Sequence, residues 1–132
     1  MTIERINPAE LIEPTGYTQV VRVAGGTTIY IAGQGAYTAD HELVGPGDHY
    51  AQSKQAFTNV VHALRAAGAT FDDVVKATYL VVDLTPAALE GFGRAMSEVL
   101  GSDVGQPAAT LIGVDALAYP EMLVEFEVIA VV

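Results

Sequence analysis

The 132-residue sequence predicts an α+β domain: a mixed β-sheet with two helices on one face, in the element order β-β-α-β-α-β-β. Three observations lead there. Residues 122–131 alternate in character at a period of two, the mark of a strand. Residues 50–67 and 86–100 place apolar side chains at helical spacing. Around them lie β-branched runs bounded by glycine or proline, with no repeat or linker, so residues 1–132 are expected to form a single domain.

Pro8 and Pro14 punctuate the first sixteen residues, which lack a sustained period and are expected to be an extended lead-in or a short edge element. Residues 17–23 and 28–32 are β-rich, and Gly25-Gly26 between them predicts a hairpin, because glycine reaches positive φ without steric cost. Gly33-Gln34-Gly35 ends the second run. It lacks the continuation that would aim amides and a lysine at a phosphate. Residues 35–47 are polar and glycine-bearing, a surface loop suited to closing over a pocket edge.

Asp48 opens the first helix as its N-cap or first-turn acid, and Gly68 stops it. Tyr50, Phe57, Val60, Val61, Leu64 and Ala67 form its apolar face, leaving Gln52, Lys54, Gln55, Asn59, His62 and Arg65 on the others. Residues 74–82 are apolar on both sides, which predicts an interior strand covered twice, with Lys76 reaching solvent. Thr85 caps the second helix and Pro86 fits its first turn. Its expected buried stripe is Leu89, Phe92, Ala95, Met96 and Val99.

Two strands then follow within residues 106–132. In the second, Leu123, Glu125, Glu127, Ile129 and Val131 share one side, and Val124, Phe126, Val128 and Ala130 the other. A carboxylate among apolar neighbours is partly desolvated, which raises its pKa and suits it to proton handling near neutrality. The same alternation also fits an ordinary solvent-facing side of an antiparallel strand. Because the sheet is apolar on both sides, a lone copy would expose too large a patch, and a symmetric oligomer is expected.

Composition narrows the chemistry. With no cysteine, disulfides, thiolate nucleophiles and zinc–thiolate sites are excluded. Sixteen acids against six scattered bases give a net charge of −10, which opposes nucleic-acid binding. His41, His49 and His62 lack metal-binding spacing, so no metal is expected. No serine stands in a nucleophile elbow. The apolar runs are too short to span a bilayer, and acids interrupt the N-terminus where an export signal would be apolar, so a soluble cytoplasmic protein is the expectation. Tyr17, Tyr37 and Tyr119 fall near strand ends or loops, where each suits either a cleft wall or a core or interface position.

The succession Gly16-Tyr17-Thr18-Gln19, Ala32-Gly33-Gln34, Gln52 with Asn59, Leu64-x-x-Ala-Gly68, Val74-Val75-Lys76-Ala77-Thr78, Asp83-Leu84, Pro107-Ala108 and Val124-Glu125-Phe126-Glu127-Val128-Ile129-Ala130 resembles the Rid (YjgF-type) enamine/imine deaminase family. The resemblance implies a chorismate-mutase-like fold, a homotrimer with clefts between subunits, and cofactor-free hydrolysis of imino or enamine acids to keto acids and ammonia. It places Glu125 at the attacking water and Tyr17, Gly33 and Gln34 along the cleft, and Tyr119 is a further candidate for the cleft wall.

The departures concern substrate. Active members carry an arginine after Pro-Ala that grips the substrate carboxylate through a bidentate pair; here the position is Ala109. Ala32 replaces the usual serine or threonine, and the asparagine of the second helix has no counterpart near Gly91 to Gly93. Three outcomes fit: a deaminase for an uncharged or differently anchored metabolite, a noncatalytic small-molecule-binding or regulatory trimer, or a weakly active relic. Arg22, Lys54 and Arg94 are the cations available to replace the arginine, and each also fits a solvated surface charge. A ribonuclease role ranks behind these because of the net charge.

Overall fold

Strand pairing, more than local turn chemistry, sets the architecture. The structure, a computed structural model, describes residues 1–132. In chain order it contains β1 (Thr2–Ile6), β2 (Val20–Ala24), β3 (Thr28–Gln34), α1 (His49–Ala66), β4 (Val74–Val82), α2 (Pro86–Leu100), β5 (Ala108–Val114) and β6 (Val124–Val131). The main sheet has the order β3-β6-β4-β5, antiparallel except for the parallel pair β4/β5. Both helices cover the same face of this sheet, where Phe57, Tyr79, Phe92 and Phe126 form an aromatic cluster with ring centroids 4.5 to 5.8 Å apart. Neither helix is long and apolar enough to cross a membrane.

The expected hairpin of residues 17–23 with 28–32 does not form. Gly25 and Gly26 do adopt positive φ (74° and 90°), but they turn the chain out of one sheet and into another. β2 pairs with β1 in a separate two-stranded ribbon, and β3 pairs with β6. The N-terminal segment is therefore a strand in its own right, adding one β element before the expected order. Long-range pairing with the apolar β6 outweighs the local glycine signal.

The helix ends follow the sequence. Asp48 Oδ1 accepts from the Ala51 amide at 3.0 Å, and Thr85 Oγ1 accepts from the Ala88 amide at 3.1 Å. The buried stripe of α2 is Ala88, Phe92, Ala95 and Met96, whereas Leu89 is 50% exposed, so the stripe begins one residue earlier than expected. On α1, Gln52 is fully buried rather than turned outward. Its Nε2 donates to the Gly45 and Glu121 carbonyls at 3.2 and 3.1 Å, and its Oε1 accepts from the Leu123 amide at 2.9 Å. The polar side chain is buried because three loop backbone groups need it.

β6 alternates as read from the sequence: Val124, Phe126, Val128 and Ala130 are buried under the helices, while Glu125 is half-buried and Glu127 exposed on the opposite face. β4 is covered on its helix side only. Ala77, Tyr79 and Val81 are buried, while Lys76 is exposed and Thr78 and Leu80 are partly exposed. Within one chain this second face stays open, with Tyr30 76% and Ile112 42% exposed.

Candidate functional site

The residues singled out in the sequence gather at the two edges of the main sheet. At the β3 edge the register with β6 shifts by one residue between Ile31 and Gln34, which places Gly33 in a bulge. The Glu125 side chain lies across it. A Cβ built on Gly33 would fall 2.9 Å from Glu125 Cδ, so any larger residue here must push the Glu125 side chain aside.

Gly33 and Gln34 line a cavity of about 640 Å³ with Tyr37, His41, Asn59 and Tyr119. Tyr37 and Tyr119 meet edge to face at 5.7 Å between centroids. Asn59 braces the wall from α1: its Nδ2 donates to the Gly35 and Tyr37 carbonyls at 3.0 and 2.9 Å, and its Oδ1 accepts from Gln55 at 2.9 Å. His41 stands at φ 62°, held by its amide donating to Thr38 O at 3.1 Å. His41 and the bracing role of Asn59 carry no signal in the sequence, because the loop backbone decides both.

At the β5 edge, Tyr17 and Ala109 line a second cavity of about 230 Å³, together with Tyr79, Leu89, Phe92 and Leu111. Thr18 docks this segment: it bridges in parallel to Ala108, its amide donates to Pro107 O at 2.9 Å, and its hydroxyl donates to Gln106 O at 2.6 Å. Arg5 of β1 clamps the same loop, donating to Gln106 O at 3.0 Å and Asp72 O at 2.7 Å.

Within one chain the two groups do not meet. Ala109 pairs with the buried Ala77 and so lies on the helix side, whereas Glu125 pairs with Leu80 on the open side. Two strand spacings and a three-residue offset separate them by roughly 14 Å. Tyr17 and Ala109 thus come together, as do Gly33, Gln34 and Tyr119 with Glu125 against Gly33, but no single small molecule touches both groups.

The three candidate replacement cations are engaged elsewhere. Arg22 pairs with Glu4 at 2.6 Å. Lys54 and Arg94 approach Glu98 at 3.5 and 3.8 Å, and Arg94 stacks on the Tyr50 ring at 3.6 Å. The Tyr50 hydroxyl donates to Glu98, and that hydrogen bond chiefly holds the Glu98 carboxyl below its ordinary range. None of these cations lines either cavity. His49 is likewise engaged, its Nε2 2.7 Å from Val82 O.

Comparisons with known proteins agree on the family. Residues 9–132 match the family model described as Endoribonuclease L-PSP. A goat (Capra hircus) protein named 2-iminobutanoate/2-iminopropanoate deaminase is 48% identical over 69 residues, 52% of this chain. That match spans 48% of the goat protein, about half its length. A RutC family protein of Pyrococcus abyssi is 32% identical over 120 residues, covering 89% of this chain and 88% of that one. Among solved structures, a Rid-family protein of unknown function from Yersinia pestis superimposes with a TM-score of 0.92 at 38% identity over the whole of both chains. RidA from a Psychrobacter species gives 0.70 at 29% identity, covering 98% and 99%. Fold, motif order and these matches together establish that the chain belongs to the Rid (YjgF-type) family, the family of the L-PSP model.

Proposed function

We propose that the protein hydrolyses a small imine or enamine metabolite in clefts between the subunits of a homotrimer. The β3 edge of one copy, with Gly33, Gln34 and Glu125, faces the β5 edge of the next, with Tyr17 and Ala109. The observation that carries this reading is the separation of the two groups at opposite edges of one sheet. An edge-to-edge contact of unlike surfaces repeats head to tail, and with a rotation of a third of a turn between copies it closes into a ring of three. The named deaminase relatives supply the reaction class.

In this cleft Glu125 takes a proton from water as the water oxygen bonds to the imine carbon and the C=N electron pair moves to nitrogen, which is protonated. The resulting carbinolamine expels ammonia as its hydroxyl loses a proton, leaving the carbonyl product. No metal or organic cofactor enters these steps. Ala109 removes the arginine that grips a carboxylate, so the substrate differs from 2-aminoacrylate. The same loss favours a second reading, a noncatalytic small-molecule-binding or regulatory trimer.

Subunit mixing tests the shared site. Glu125→Gln disables one half-site and Ala109→Trp fills the other. Each variant alone is expected to be an inactive trimer, while co-expression restores about a quarter of the sites. A mixture as inactive as its parents contradicts a site shared between subunits.

A further inference from the structure

Two tyrosine rings form a corner in the cavity at the β3 edge. Tyr37 and Tyr119 stand at 74° to each other with centroids 5.7 Å apart, and both line the cavity. Tyr119 is 60% exposed, yet it is fixed against the Tyr37 ring and by a turn in which the Met122 amide donates to its carbonyl at 3.1 Å. A large aromatic side chain held open in this way offers its π surface to a ligand. His41 adds a third ring from a left-handed backbone position, φ 62°, that glycine would take without strain. Keeping a side chain at a strained position points to a use for it.

The charge around these rings is of one sign. Residues 35–47 and 115–123, the two loops that supply the tyrosines, contain Asp40, Glu42, Asp115 and Glu121 and neither lysine nor arginine. All four carboxylates are exposed and none belongs to an ion pair, since the ion pairs of the chain use Glu4 and Glu98. Gln34 spends its Nε2 on Ala32 O at 3.1 Å, which leaves its side-chain oxygen, an acceptor, without a donor. A carboxylate ligand would meet repulsion here and no partner. An organic cation would meet ring faces that attract it through their quadrupole, within the field of a chain of net charge −10.

We infer that the Tyr37–Tyr119 corner is a subsite for an ammonium-type cation carried by the substrate, which is thus anchored by a positive group instead of a carboxylate. The inference rests on the imine-hydrolase reading for the other end of the substrate. The cavity starts at Gly33, against which the Glu125 carboxylate lies, and follows the chain past Gln34 to Tyr37 and His41. Its volume of about 640 Å³ holds both a reacting carbon near Glu125 and a cationic group at the rings. The substrate class it names is an imine bearing a remote ammonium or trimethylammonium group.

Three probes of one shape and different charge decide it, titrated against the intact oligomer by calorimetry at physiological ionic strength. Choline carries a trimethylammonium head, 3,3-dimethylbutan-1-ol the same head with carbon in place of nitrogen, and 3,3-dimethylbutanoate that neutral head with a carboxylate. The wild type is expected to bind choline about fivefold or more tighter than the alcohol, as a partly desolvated cation–π contact gives, and the carboxylate most weakly. Tyr119→Leu should reduce the choline to alcohol ratio at least about threefold, whereas Tyr119→Phe, which keeps the ring face, should hold it within about twofold. Both variants keep the net charge, so the ratio reads the ring and not the overall field. A wild type that binds choline no tighter than the alcohol, or a ratio unchanged in Tyr119→Leu, overturns the subsite. Imines generated in situ from betaine aldehyde and from 3,3-dimethylbutanal carry the same isosteric pair into turnover, and kcat/KM is expected to favour the cationic one. Ring-dependent choline binding with neither imine hydrolysed leaves the subsite standing and overturns the hydrolase reading. Hydrolysis of both imines at equal kcat/KM, with no choline preference, does the reverse.

Discussion

The Glu125 side chain occupies the space that a side chain at Gly33 would fill, with Glu125 Cδ and Cγ both 2.9 Å from the position of a Gly33 Cβ. Gly33 has no positive φ, so a substitution there strains contact rather than backbone. Because the half-buried carboxylate is the part able to yield, Gly33→Ala is predicted to fold with little change in thermal midpoint and to displace Glu125. A displacement of about 1 Å at a reacting group can cost about a hundredfold in rate. Turnover and thermal unfolding measured together check this, and full activity in the alanine variant contradicts it.

Gln52 holds two loops onto α1 through three hydrogen bonds. Gln52→Leu leaves two carbonyls and one amide without their buried partner, and is predicted to destabilise the protein by about 3 kcal/mol. The urea midpoint checks it. Tyr119 should also lose its edge contact with Tyr37, because Glu121 and Leu123 anchor the loop that carries it.

Tyr79 gives stability an alkaline limit. Its folded pKa is raised by desolvation, whereas the unfolded phenol titrates near 10. Above about pH 10 the unfolded chain releases a proton that the folded chain retains, so stability from this group is complete below that pH and falls as pH rises. The slope approaches about 1.4 kcal/mol per pH unit. Tyr79→Phe should unfold with a flatter pH dependence in alkali and, by deleting an unpaired buried hydroxyl, should be no less stable at neutrality. Urea midpoints between pH 8 and 11 for both proteins test this, and equal slopes contradict it.

Local signals in the sequence carried the helices and β6. Asp48 and Thr85 announce their caps, and the alternation around Glu125 and Glu127 by itself places both acids on one face. What local signals cannot carry is partnership. Gly25-Gly26 reads as a hairpin because nothing nearby states that β3 pairs with a strand almost 100 residues away. Gln52 reads as outward-facing because its partners are loop backbone groups, invisible to side-chain periodicity. The distance between Glu125 and Ala109 depends on the strand order β3-β6-β4-β5, and the unpaired state of the Tyr79 hydroxyl on the packing around it.

The most direct test is ammonia release from imines generated in situ, comparing wild type with Glu125→Gln on charged 2-imino acids and on neutral aromatic imines. The wild type is predicted to release ammonia, faster from neutral imines, and the glutamine variant to lose about a hundredfold or more of that rate while keeping the wild-type oligomeric state. Equal rates in the two proteins, or no turnover of any imine by the intact wild type, would contradict an imine hydrolase built on Glu125.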